Sequence, residues 1–169
     1  MPDPVSSPSP DGTEKDASAV RIFPPGVALV TVPAGLVLAY IWPLVSDCFL
    51  GAPLRYGLGG AIVLAATCFP GFRAALMMRR SGQSENPYKK TTAIIEAGPY
   101  RLTRNPMYLQ MVLVCIGLAV LLGNLWLLML TPVCALVLHV LVTLPEETYL
   151  ERKFGDEYLA CKQRVRRWI

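Results

Sequence analysis

Forty consecutive residues, Asn105 to Leu144, contain no Asp, Glu, Lys or Arg. A run of that length argues against a soluble domain, whose surface helices each need a polar face. It suits a bilayer, because about twenty apolar residues at a rise of 1.5 Å cross a hydrocarbon core of about 30 Å. Forty residues are too many for one crossing. Gly123-Asn124 is a turn dipeptide and divides the run into helices at 106–122 and 125–145. So short a turn makes them an antiparallel hairpin. Composition agrees: 53% of residues are hydrophobic and 17% charged, where soluble domains carry about a quarter charged. An ordinary soluble enzyme is excluded, and so is disorder away from the ends.

Two further apolar runs, 24–45 and 54–78, bring the expected spans to four. The first holds Pro33 within it and Tyr40 and Trp42 near its far end, where amphipathic rings favour the interface. The second holds Gly57, Gly59 and Gly60, small enough for close helix approach, then Pro70-Gly71, where a kink is expected. Arg73, in its last third, is expected to snorkel to the nearby interface. The fold class is therefore all-α: a polytopic membrane bundle of about four helices followed by an amphipathic C-terminal helix.

Loop charge orients it. Arg79, Arg80, Lys89, Lys90, Arg101 and Arg104 lie between the second and third spans. Arg152, Lys153, Lys162, Arg164, Arg166 and Arg167 follow the fourth, while the other side offers little beyond Arg55. The positive-inside rule places both termini and the 79–104 loop in the cytoplasm, and an even span count agrees. Residues 1–20, dominated by Pro, Ser and Asp, read as a disordered tail without the layout of a secretory signal. Residues 21–169 then form one membrane domain.

Five cysteines, Cys48, Cys68, Cys115, Cys134 and Cys161, are widely spaced with no Cys-x-x-Cys pair. That pattern supports neither a disulfide framework nor a zinc site. No metal and no nucleic-acid partner is expected. After Pro145, the acidic pair Glu146-Glu147 suits the first turn of a helix. Leu150, Phe154, Tyr158 and Cys161 recur at helical spacing as one apolar stripe, with an interruption near Gly155.

Two polar segments thus meet at the cytoplasmic boundary, 79–108 and 145–169. Arginines beside a carboxylate pair can hold a zwitterion such as an amino-acid moiety, and tyrosines can enclose an aromatic or cationic group. A basic loop that only sets topology has the same composition, and the residue chemistry leaves both readings open.

The order of motifs adds to this. Gly-Pro-Tyr-Arg-x-x-Arg-Asn-Pro-Met-Tyr at 98–108 is followed by the uncharged hairpin. Then comes Glu-Glu-x-x-Leu-x-x-x-Phe-Gly-x-Glu-Tyr-x-x-x-x-x-Arg-Val at 146–165. The pattern resembles the isoprenylcysteine carboxyl methyltransferase family, and the related phospholipid methyltransferases share much of it. The resemblance spans roughly 54–169 and is sharpest over 85–169. It implies an integral-membrane enzyme that moves a methyl group from S-adenosylmethionine to a lipophilic acceptor (carboxylate, amine or hydroxyl) at the cytoplasmic face, by direct displacement. The chain has no Gly-x-Gly-x-x-Gly, so a Rossmann methyltransferase is not implied.

Carried over by position, the resemblance implies a cofactor pocket of Ile94, Ile95, Gly98, Tyr100, Asn105, Pro106, Tyr108 and Glu146. Arg104 and Glu147 take the catalytic positions. Asn105 stands where the family's Arg-His-Pro has histidine; it can hydrogen-bond but not titrate. Val142 stands where the prenylcysteine enzymes carry a substrate-side arginine one turn before the Glu pair. His139, the single histidine, lies seven residues before Glu146 on about the same helix face. Two other readings share the motifs: an NADPH-dependent reductase of the sterol-reductase type, and a non-catalytic membrane protein.

Overall fold

The computed structural model describes residues 22–44, 50–82 and 93–168. The tail 1–20, Cys48, Lys89, Lys90 and Ile169 lie outside the described residues. Within them, all regular structure is helical. Four apolar helices, α1 (Pro24–Ile41), α2 (Ala52–Arg80), α3 (Pro106–Leu122) and α4 (Leu125–Phe154), precede the polar α5 (Asp156–Arg164). α1, α2 and α4 are long and apolar enough to cross a membrane, and α3, with 17 residues, is a shorter apolar helix. Leu29, Val30 and Val37 of α1 and Met129, Val133 and Leu136 of α4 stand exposed. In water they would be an aggregation surface; against acyl chains they are in their preferred solvent.

The hairpin forms as its residues dictate. Gly123 closes α3 in the left-handed region, φ 61°, a conformation glycine adopts without a Cβ penalty. Asn124 caps α4: its Oδ1 accepts from the Leu127 N–H at 2.9 Å, and its Nδ2 donates to the Gly35 carbonyl at 3.0 Å. One buried side chain therefore starts α4 and ties the hairpin to α1.

α3 packs along α4 and α2, while α1 lies on α4 and α3; α1 and α2 scarcely touch. Small residues set the seams. A Cβ on Gly59 would fall 2.5 Å from the Leu121 nitrogen, and one on Gly117 would meet Val63. Between apolar helices in a bilayer, such close approach is the main source of association energy. Cys115, Cys134, Leu138 and Val142 form the buried apolar cluster, so two of the cysteines serve as small hydrophobes.

Prolines disturb the helices without ending them. The irregularity expected at Pro70-Gly71 is a wide π turn, Thr67–Phe72, inside α2. A second π turn, His139–Thr143, precedes Pro145. A proline has no N–H and its ring crowds the carbonyl four residues back, and a locally widened turn relieves both. Pro145 therefore does not begin a separate tail helix; α4 runs through it to Phe154. The break comes at Gly155, φ 52°, where α5 starts. The start of α1, the end of α2, the start of α3 and the last third of α4 meet at one end of the bundle.

Candidate functional site

A cavity of about 160 Å³ opens at that end. Phe23 and Pro24 of α1, Met78 of α2, Ile94, Ile95 and Met111 give it apolar walls. Tyr100, Arg104, Asn105, Tyr108, Glu146, Glu147 and Tyr158 give it polar ones. Nine of the ten residues singled out from the sequence line it: Ile94, Ile95, Tyr100, Arg104, Asn105, Pro106, Tyr108, Glu146 and Glu147. Gly98 does not. It sits at φ 55° with Met77 against it, where a Cβ would lie 2.6 Å from the sulfur. Its absent side chain lets the Gly98–Arg101 turn dock under α2, which brings Tyr100 and Arg104 to the cavity.

Glu146 and Glu147 are neighbours on α4, about 100° apart around the axis, and they have different partners. Glu146 accepts a hydrogen bond from the Tyr108 hydroxyl at 2.7 Å, across the α3–α4 interface. Glu147 is 4% exposed. Arg167 grips it with Nε at 2.9 Å and Nη2 at 2.7 Å. Arg104 adds Nη1 at 3.1 Å. The same Arg104 nitrogen donates to the Tyr158 hydroxyl at 3.4 Å. Burial, then the Glu147 charge, push the Tyr158 phenol well above its ordinary pKa, so it stays protonated at any physiological pH.

Asn105 lines the cavity while its Nδ2 donates to the Arg167 carbonyl at 3.2 Å. Thr103 Oγ1 donates to the same oxygen at 2.9 Å. The Arg164 side chain pairs with Glu96 at 2.5 Å, which ties the loop to α5. That guanidinium holds the Glu96 carboxyl below the usual range. Burial pushes the Cys161 thiol up, which leaves it little thiolate character. Val142 is fully buried in the apolar cluster, and His139 lies outside the cavity lining with its ring 6.3 Å from that of Trp168.

Three contributors were not singled out from the sequence. Tyr158 appeared in the apolar stripe and in the second motif, with no role assigned to it. Thr103 carried no signal of its own. Arg167 belonged to a cluster of tail cations with the composition of a topology signal and lies beyond the second motif, which ends at Arg164-Val165; nothing in spacing separates it from Arg166.

A family model described as phospholipid methyltransferase matches residues 54–157, more than half of the chain. An uncharacterized protein of Haemophilus influenzae is 43% identical over 63 residues, which are 37% of this chain and 100% of that protein. No solved structure matches. Phe23, Tyr158 and Arg167 lie outside the segment that the family model matches.

Proposed function

Because the chain belongs to the phospholipid methyltransferase family, we propose that it methylates a lipophilic acceptor with S-adenosylmethionine at the cytoplasmic membrane face. The observation that carries this reading is the cavity itself: carboxylates, a guanidinium and three tyrosines share one space with apolar walls. That lining suits a cofactor with a zwitterionic end and an aromatic end. Glu146 and Arg104 are assigned to the zwitterion, and Ile94, Ile95, Tyr100 and Pro106 to the adenosine. Gly98 acts by letting the turn dock. Asn105 acts by fixing the start of α3 to the tail.

Bound S-adenosylmethionine supplies an electrophilic methyl group, whose sulfonium charge vanishes on transfer. A carboxylate aimed at the sulfur would therefore stabilise the ground state more than the transition state, so Glu146 is assigned to the periphery. An amine or hydroxyl acceptor would need a general base, for which Glu147 and His139 are the candidates, and neither is placed for proton removal. Both Glu147 oxygens are held by guanidinium groups, and His139 is outside the lining. Glu147 thus holds Arg104 in place, Arg104 is left to orient ligands, and the site works mainly by alignment and exclusion of water.

The acceptor reaches the cavity sideways. α1 and α2 both pack on α3 but not on each other, and Phe23, Met78 and Met111 line the cavity where that seam meets it. Phe23 is 57% exposed, so Phe23→Ala leaves the fold intact. It is expected to raise the acceptor KM about fivefold, with kcat and cofactor affinity little changed, by removing uniform binding. Steady-state kinetics over a series of acceptor concentrations reads this.

The cavity end carries Arg79, Arg80, Arg101 and Arg104, and among the described residues the opposite end carries Arg55. With the five native cysteines replaced by serine or alanine, a cysteine introduced at exposed Ser81 is therefore expected to react with an impermeant maleimide only after cells are permeabilised. Labelling in intact cells would reverse the assigned orientation. The function itself is tested by incubating purified protein with methyl-labelled S-adenosylmethionine and a membrane lipid extract. Label is expected in the organic phase. A yield no higher than with Glu146→Ala contradicts the reading.

A further inference from the structure

Arg167 lies beyond the family-matched segment and outside the cavity lining, yet it braces Glu147, which is part of that lining. Its backbone is pinned: Thr103 Oγ1 and Asn105 Nδ2 both donate to its carbonyl, and the Arg104 N–H donates to the Arg166 carbonyl at 3.0 Å. Its side chain grips both oxygens of Glu147. Glu147 in turn touches Arg104 through one oxygen only. Residues 103–105 thus hold the tail, the tail holds Glu147, and Glu147 holds Arg104.

The charges explain why this loop is closed twice. Two guanidiniums share one carboxylate. The fork–fork geometry of Arg167 is the stronger of the two, so Glu147 is matched mainly from outside the cavity. Arg104 keeps most of its positive charge. Its side chain is 10% exposed, and its Nε is buried without a partner. A buried, unmet donor on a cation is costly and is explained when a ligand supplies the acceptor.

We propose that Arg167 is a positioning residue: by taking both Glu147 oxygens it leaves Arg104 free to bind the anionic oxygen of a zwitterionic ligand, whose ammonium group goes to Glu146. The inference rests on the methyltransferase reading and deepens it. Two sources offer that zwitterion, the methionine end of the cofactor and the head group of an aminophospholipid, and the experiment separates them.

The full chain in detergent is titrated calorimetrically with S-adenosylhomocysteine and with 5′-methylthioadenosine, which lacks the amino-acid end. In Arg167→Ala, Glu147 is released onto Arg104 and neutralises it. The loss of one charge-assisted contact is expected to weaken S-adenosylhomocysteine about tenfold and to leave methylthioadenosine within about twofold. Adding Glu147→Gln removes the neutralising charge and is expected to restore most of the affinity, which a merely structural role of Arg167 would not do. Should Arg167→Ala fail to fold, Arg167→Lys, which keeps the charge without the fork, is expected to show a smaller loss with the same recovery.

If the head group is the zwitterion, S-adenosylhomocysteine affinity stays unchanged in Arg167→Ala. The KM for phosphatidylethanolamine in mixed micelles then rises and recovers in the double variant. Either pattern supports the proposal. It is overturned if neither ligand responds to Arg167→Ala, or if both adenosine compounds are lost equally with no recovery. Wild-type protein that binds neither adenosine compound contradicts the methyltransferase reading, and the inference falls with it. Wild-type binding with variants that do not recover contradicts the inference alone.

Discussion

Glu147→Ala is expected to abolish methyl transfer and to destabilise the fold by about 3 kcal/mol, the scale for removing one partner from a buried ion pair. The carboxylate is 4% exposed and lies between Arg104 and Arg167. Without it two guanidiniums face each other with no counter-charge, and the tail loses its side-chain anchor on α4. Part of the repulsion is relieved because Arg167 is 33% exposed and can swing outward, so the figure lies at the low end of the buried-pair range. Glu147→Gln retains one acceptor oxygen and should lose less stability than Glu147→Ala, about half as much. Thermal unfolding in detergent, run beside the labelled-methyl assay, separates the two effects: the alanine variant should unfold earlier and, where still folded, transfer no methyl. A variant as stable and active as wild type would remove the ion cluster from the account.

Gly59→Leu is expected to have an effect of similar size at the other level, on the bundle itself. The α2–α3 seam brings the Leu121 backbone to where a Gly59 side chain would begin. Backbone cannot rotate away as a side-chain tip can, so the helices must separate, at a cost of about 2–3 kcal/mol for overpacking. Loss of close packing counts fully here, because lipid-facing helices gain no hydrophobic energy from association. Gly57→Leu, at a position with open space around it, is the control and should leave stability unchanged. Size-exclusion profiles and unfolding midpoints of the two variants check this; equal behaviour would mean that the seam is not closely packed.

Much of the fold was legible because its determinants are local. An uncharged stretch and a Gly-Asn dipeptide specify apolar helices and a tight hairpin, and Gly123 and Asn124 adopt the turn and cap conformations that their chemistry favours. The continuation of α4 through Pro145 was not legible. A proline signals a missing N–H but not whether a wide turn upstream absorbs it, and that depends on the packing of His139–Thr143. At the site, two motifs far apart in sequence marked residues that share the cavity. Gly98 was assigned to the pocket by its place in the motif; only tertiary structure reveals Met77 occupying the space beside it. Arg167 was hidden for a different reason. Its role depends on the tail crossing the start of α3, a contact between residues 62 positions apart that no periodicity encodes.

The central claim is that the cavity binds S-adenosylmethionine through the Glu146 end of α4. Its most direct test is calorimetric titration of S-adenosylhomocysteine into detergent-purified protein, with Glu146→Ala beside it. Micromolar binding to wild type and a loss of at least about tenfold in the variant, the worth of one charged contact, is the result expected. A folded preparation that does not bind, or a variant that binds as tightly as wild type, would contradict it, and NADPH would then be the next ligand to titrate.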